Sequence, residues 1–242
     1  MIIITQHSKL KTQHCLFITG TDTGVGKSLV ACALLHAYAA RGLRVAGMKP
    51  VAAGARLHDG RLLNDDVEAL IAASNVSAPL ATINPYCFEP PIAPHIAAQQ
   101  AKVEISIDAI AARFNELARA AEVVVVEGAG GFCVPLNARE TSADLAQRLG
   151  TPLVLVVGMR LGCLNHALLT AEAIRARGLA LAGWVGNHVD PAMAHEDENV
   201  CALMERLNTP LLARIAHTQN PDPRKLAESF NLDALAGPQN RA

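Results

Sequence analysis

Apolar, β-branched runs alternate along this chain with stretches of helical periodicity. The pattern predicts strands at 15–19, 44–49, 123–127, 153–157, 181–187 and 211–215. Between them it predicts helices near 27–40, 65–73, 107–120, 141–149, 167–176 and 196–207. Helix ends carry their own signals: Ser106 precedes the third helix, and Gly42, Gly150 and Gly178 follow others. The strand segments are continuously apolar. A strand that buries both faces has this pattern, as in a parallel sheet covered by helices. Repeated strand-then-helix order predicts a doubly wound α/β fold, a mainly parallel sheet flanked by helices. Two long connections interrupt the rhythm, at 50–64 and at 82–105, the second containing Pro85, Pro90, Pro91 and Pro94. Connections of that length are usually functional or disordered. Residues 15–217 read as a single domain, with no internal repeat or dividing linker. A loose leader (1–14) precedes it, and a tail (218–242) follows, with one weak helix expected over 224–235.

Composition narrows the partners. The chain has 242 residues, 51% hydrophobic and 18% charged, which is ample material for a core. With 21 basic and 22 acidic residues the net charge is −1, so nothing electrostatic favours nucleic acid or a membrane surface. Aromatics at 3% argue against a base-stacking platform. No apolar run approaches the roughly 20 residues that span a bilayer. The leader has an Ile2-Ile3-Ile4 run without preceding positive charge or a cleavage site, so a cytoplasmic protein is expected. Six cysteines are scattered through apolar segments with no Cys-x-x-Cys pair. They read as buried, reduced thiols, not as a zinc site.

The most informative stretch runs from Phe17 to Ser28: Phe-Ile-Thr-Gly-Thr-Asp-Thr-Gly-Val-Gly-Lys-Ser. A buried strand leads into a glycine-punctuated loop, and a Lys-Ser pair opens a helix. Glycines let backbone N–H groups close on phosphate oxygens. Lys27 adds a positive charge, and the Ser28 hydroxyl can ligate Mg²⁺. The helix N-terminus adds its partial charge. A Gly-Lys-Ser triplet can also be a simple turn into a helix, but the strand before it and the helix after it favour a triphosphate-binding loop, a P-loop of the NTPase type, with one difference from the usual pattern. Gly20 and Gly26 enclose five residues where the usual pattern has four.

Further candidates lie at other strand ends. Glu127 closes an unbroken valine run and precedes Gly128-Ala129-Gly130-Gly131. A carboxylate there sits at the ligand edge of an open α/β sheet and either holds Mg²⁺ directly or through water, or caps a helix or pairs with an arginine. Asp65 and Asp66 follow Asn64 at a helix start. Acids in a first turn are favoured by the helix dipole, so they are either caps or, for Asp66, a second metal carboxylate. Lys49 ends the second strand and is either a solvated strand end or a second cation for an anionic site. His95, after Pro94, reads as a turn residue. The segment 158–166 either connects elements or offers N–H groups to a carboxylate.

Seven phrases occur in order: Gly20 to Ser28, Lys49-Pro50-Val51, Asn84-Pro85-Tyr86, Pro94-His95, Val126 to Gly131, Leu161-Gly162-Cys163-Leu164-Asn165-His166, and Ala182-Gly183-Trp184-Val185. Together they resemble the dethiobiotin synthetase family over about residues 15–215. The resemblance implies an ATP-dependent cyclo-ligase acting on 7,8-diaminononanoate and CO₂ (or bicarbonate) in biotin biosynthesis. It implies Mg²⁺ held by Ser28, Asp66 and Glu127, and catalytic roles for Lys27 and Lys49. Phosphate would be cradled by Gly24, Val25, Gly26, Lys27 and Ser28, with Gly128, Ala129 and Gly130 nearby. Adenine would be read by Asn187 and His188 and by backbone at Ile215, Ala216 and His217. Substrate would meet Thr23, Lys49 and Ala53. Its carboxylate tail would meet Leu161, Gly162, Cys163 and Asn165 of the second subunit of a homodimer. Three positions depart from the family: Ala53 where serine is common, His188 where aspartate is frequent, and Ala216 where proline is frequent.

Two other families compete. Amide-forming enzymes of cobalamin synthesis usually add a glutaminase domain, for which this chain has no room. Partition and division-positioning ATPases carry an early lysine in the phosphate loop, where this chain has Thr21-Asp22-Thr23.

Overall fold

The computed structural model describes residues 14–235; the predicted leader lies outside them except for His14. In chain order the elements are β1 (His14–Gly20), α1 (Lys27–Ala40), β2 (Val45–Met48), β3 (Val51–Ala53), β4 (Arg56–His58) and β5 (Arg61–Leu63). Then come α2 (Asp65–Ala73), α3 (Leu80–Ile83), β6 (Tyr86–Phe88), α4 (Pro94–Gln100), α5 (Ile107–Ala120) and β7 (Val123–Glu127). The chain continues through α6 (Ser142–Leu149), β8 (Leu153–Met159), α7 (Cys163–Ala176), β9 (Leu181–His188), α8 (Glu196–Leu207), β10 (Leu211–Ile215) and α9 (Pro223–Leu226).

Alternate residues of the central strands explain why those strands read as unbroken apolar runs. Phe17, Val124 and Val126 enter one core, while Leu16, Ile18, Val123 and Val125 enter another. Successive side chains of a strand point to opposite faces, so both faces must be apolar when helices cover both. The first core is closed by Ile110, Phe114 and Leu117 of α5 and by Leu145 of α6. The second is closed by Val30, Leu34 and Tyr38 of α1 and by Leu70 of α2. A third cluster packs α7 and α8 around the fully buried Trp184.

The six long strands form one sheet in the order β10-β9-β8-β1-β7-β2. Every pairing in it is parallel. The expected doubly wound architecture is therefore present. Since β1 lies between β7 and β8, chain order reverses beside it. Ligands of open α/β sheets bind at the carboxyl ends of strands at such a switch point, and the phosphate loop leaves β1 there.

The two long connections are not bare loops. The first holds β3 and the β4–β5 hairpin, and the second holds β6 and α4. β3 and β6 pair in parallel as a separate two-stranded sheet. Three-residue strands are too short to show periodicity, and α4 opens on a proline, which is compatible with a first helical turn. α7 starts at Cys163, four residues before the predicted 167, because Gly162 turns the chain at φ 94°. In place of one weak helix, the tail has α9 and two single 3₁₀ turns, Ala227–Ser229 and Leu232–Ala234. The thiols also differ from expectation. Only Cys32 and Cys163 are buried, whereas Cys133 and Cys201 are exposed, on a turn and on the outer side of α8. Among the described residues no helix is long and apolar enough to cross a membrane.

Phe230 and Leu232 of the tail are buried in the α1 cluster. Phe230→Ala should therefore lower unfolding free energy by about 3 kcal/mol, the range for losing a buried aromatic. A denaturant midpoint equal to that of the parent chain would show that the tail is not part of the core.

Candidate active site

The loop after β1 is held by its own backbone. The Thr21 N–H donates to the Val156 carbonyl at 3.0 Å. The Thr23 N–H donates to Asp22 Oδ1 at 2.7 Å, and Lys27 Nζ donates to the Asp22 carbonyl at 2.8 Å. Gly26 has φ 92°, and a Cβ there would lie 2.3 Å from Asn187 Nδ2, so only glycine fits. Asn187, at the end of β9, donates to the Val25 carbonyl at 2.9 Å and so braces the loop from the neighbouring strand.

Four side chains meet beyond the loop. Lys49, just after β2, donates to Glu127 Oε1 at 2.5 Å and to Asp66 Oδ2 at 2.9 Å. Glu127 closes β7 and is 1% exposed; Lys49 is 5% exposed. Ser28 Oγ lies 2.7 Å from Asp66 Oδ1 and 2.7 Å from Glu127 Oε1. Asn64 caps α2 by accepting from the Val67 N–H, which brings Asp66 inward while Asp65 turns out to Arg56. The Asn84-Pro85-Tyr86 phrase also has a place here. Buried Asn84 donates to the Lys49 carbonyl at 2.6 Å and to the Tyr86 carbonyl at 3.0 Å, fixing the backbone that carries the lysine.

The charges shape one another. Burial pulls the Lys49 ammonium down, but Glu127 and Asp66 outweigh it and hold the pKa above its ordinary value. Burial pushes Asp66 up, yet Lys49 and the Ser28 hydrogen bond leave it below the usual carboxylate range. For Lys27, burial and the nearby Lys49 charge dominate, and its pKa falls to about 8. Two features of the cluster are incomplete without a cation. Ser28 has one hydroxyl hydrogen but faces two carboxylate oxygens, so it can donate to only one of them. Glu127 Oε2 is buried with no hydrogen-bond partner. A hydroxyl and two carboxylates, with phosphate oxygens to complete the shell, suit Mg²⁺.

A cavity of about 870 Å³ opens over this cluster. Thr23, Gly24, Gly26, Lys27, Ser28, Lys49, Ala53, Asp66, Glu127, Ala129 and Gly130 all line it. Val25 is instead buried under the loop, and Gly128 packs on the Phe17 ring. Asn187, His188, Ile215, Ala216 and His217 gather on the other side of β1, at the adjoining ends of β9 and β10. There His188 Nδ1 lies 2.9 Å from Glu196, and His217 Nδ1 lies 3.2 Å from the His188 carbonyl. Leu161, Gly162, Cys163 and Asn165 stand at the head of α7 outside the cavity; Leu161 is 97% exposed, while Cys163 is buried. His95 lines a separate cavity with Leu136 and Asn137. The sequence reading missed the Pro91–Pro94 wall and Cys133, which also line the site. It missed the pair Arg160–Asp22 as well. No periodicity marks such contacts, since the partners are far apart in the chain.

This geometry agrees with what related proteins indicate. An AAA-domain family model matches residues 14–234. The ATP-dependent dethiobiotin synthetase BioD of Aromatoleum aromaticum is 54% identical over 216 residues, covering 89% of this chain and 96% of that protein. The chain belongs to the dethiobiotin synthetase family. The same-named protein of Nitrosospira multiformis is 56% identical over 216 residues, with 89% and 94% covered. Solved structures share the fold at much lower identity. The septum site-determining protein MinD of Pyrococcus horikoshii has a TM-score of 0.57 at 15% identity, with 95% of this chain and 100% of that one covered. A ParA-family ATPase of Chlorobium tepidum has a TM-score of 0.54 at 12% identity, with 95% and 93% covered. At such identities the likeness shows a shared P-loop architecture and does not favour a partition-type role over the synthetase family.

Lys27 gives a pH prediction. Below about 8 it is charged and ready for phosphate; above that a proton must be taken up on binding. Affinity for a triphosphate should then be flat from pH 6.5 to 7.5 and fall by up to about tenfold per pH unit above 8.5. Calorimetric titration across that range checks it, and a flat profile to pH 9.5 would remove Lys27 from the phosphate contact.

Proposed function

We propose that the chain closes the ureido ring of dethiobiotin at the Ser28–Lys49–Asp66–Glu127 cluster. The observation that carries this is the convergence of two lysines and two carboxylates on one cavity beside the phosphate loop. One amine of 7,8-diaminononanoate takes up CO₂, giving a carbamate and releasing a proton. A carbamate oxygen attacks the γ-phosphorus of ATP, and ADP leaves. The second amine then attacks the carbon of the mixed anhydride, phosphate leaves, and the cyclic urea remains.

The residues have little covalent chemistry to do. Phosphoryl transfer depends mostly on alignment and charge neutralisation. In our reading Lys27 bridges phosphate and carbamate, and Lys49 neutralises the charge that develops between them. Thr23 faces the substrate. Ala53 lines the same wall without a hydroxyl, so the diamine has one fewer side-chain hydrogen bond than in family members with serine there. Ser28, Asp66 and Glu127 would hold Mg²⁺, which supplies charge neutralisation to the triphosphate. Asn187, His188 and the backbone at 215–217 would border the adenine. His188 is tied to Glu196, so this border differs from one built on aspartate.

A homodimer completes the reading. The head of α7 exposes Leu161, and Leu169 further along is 57% exposed, an apolar surface suited to a second copy. Leu161, Gly162, Cys163 and Asn165 of that copy would then take the carboxylate tail. Six unpaired cysteines favour a reducing compartment, the cytoplasm.

Two measurements test this reading. ATP hydrolysis should require both the diamine and bicarbonate; hydrolysis indifferent to the diamine but stimulated by DNA or lipid would sink it. Lys49→Ala should lower kcat by about 10²–10³, the scale of losing one preorganised charge-stabilising donor. Near-normal turnover in that variant would exclude Lys49 from the mechanism.

A further inference from the structure

Asp22 is the one residue of the phosphate loop that touches three different partners among the described contacts. Its carbonyl accepts from Lys27 Nζ, its Oδ1 accepts from the Thr23 N–H, and its Oδ2 accepts from Arg160 at 2.5 Å. Arg160 comes from outside the loop, on the connection between β8 and α7, 138 residues away. The residues after it are Leu161 to Asn165, the stretch proposed to meet the substrate tail. We propose that Arg160 and Asp22 are a positioning pair. Arg160 holds the Asp22 carboxylate away from the incoming phosphates and neutralises it, and Asp22 in turn fixes Lys27 and Thr23.

Elementary electrostatics supports this. A free carboxylate in the turn that must cradle a triphosphate repels it, and a guanidinium on its outer oxygen removes that repulsion. The Thr23 hydrogen bond, opposed in part by burial, and then Arg160 leave Asp22 below the usual carboxylate range. Both side chains are near half-exposed, at 42% and 48%. Exposed ion pairs contribute little to global stability, so the effect belongs in ligand affinity and not in folding.

The inference rests on the reading that a triphosphate occupies the loop, and the experiment separates the two. Dissociation constants for Mg·ATP would be measured by calorimetry on the full chain, beside diamine-dependent turnover and melting temperature. Arg160→Gln should weaken Mg·ATP binding about tenfold and raise its KM alike, with kcat falling less than the affinity because the Asp22 backbone carbonyl can still accept from Lys27. Arg160→Lys should stay within about threefold, because the charge is kept. Asp22→Asn in the Arg160→Gln background should restore most of the affinity, since it removes the uncompensated charge but keeps an acceptor for Thr23. Unchanged affinity in Arg160→Gln would overturn the pair, as would losses that simply add in the double variant. Losses that track a fall in melting temperature would overturn it too. A parent chain that binds Mg·ATP but shows no diamine-dependent turnover would overturn the synthetase reading instead, leaving the pair to be judged on binding alone.

Discussion

The buried ammonium of Lys49, held between Glu127 and Asp66, is the interaction on which the site depends. Removing a charge from water costs several kcal/mol unless close partners compensate. Here the lysine at the end of one strand, the carboxylate at the end of its neighbour and the second residue of a helix must coincide within 3 Å. Lys49 and Glu127 are the buried pair, and Asp66, which is 40% exposed, adds a second carboxylate to the ammonium. The sheet makes the coincidence possible. β2 and β7 are adjacent and parallel, so their carboxyl ends finish side by side. β1 lies on the other side of β7 and delivers Ser28 to the same edge. The Asn84 side chain then locks the Lys49 backbone from below.

The cluster also has polar groups left without full partners. Two carboxylates are balanced by Lys49 and by Lys27, whose charge is poised near neutrality of pH with a pKa of about 8. A hydroxyl caught between two acceptors and an orphaned carboxylate oxygen are satisfied together if a divalent cation and phosphate oxygens enter. Preorganised partners of this kind need not reorganise when charge shifts during transfer. The same edge serves two ligands. In the proposed reading phosphate would lie over the loop, substrate would occupy the cavity that the Pro91–Pro94 segment also lines, and the nucleotide base would lie across β1 beside Asn187.

Most of the sheet was legible because its strands are buried on both faces, so composition alone marks them. The longer helices α1, α2, α5 and α8 could be bounded to the residue, α2 and α5 with the help of the Asn64 and Ser106 caps and α1 with the Lys-Ser pair that follows the glycine loop. Short pieces could not: β3, β6 and the β4–β5 hairpin take their shape from tertiary pairing, and α7 starts at a glycine that offers no side-chain cap. The site divides in the same way. Ser28, Lys49 and Glu127 were visible because they stand at strand ends or in a loop with a recognisable phosphate grammar. Asp66 was ambiguous with its neighbour Asp65 until the Asn64 cap set which one faces inward. Arg160 and Asp22 were invisible as a pair, since nothing local links residues so far apart in the chain. The seven ordered phrases supplied what local physics lacked, and 54–56% identity to two dethiobiotin synthetases agrees with them.

Crystals grown with Mn²⁺, a non-hydrolysable ATP analogue and the diamine test the central claim most directly, through anomalous scattering from the metal. The account predicts one strong peak within coordination distance of Ser28 Oγ and of carboxylate oxygens from Asp66 and Glu127, with Lys49 Nζ displaced toward the substrate side. A metal bound elsewhere, with the Lys49–Glu127–Asp66 contacts unchanged around an occupied nucleotide, would contradict it.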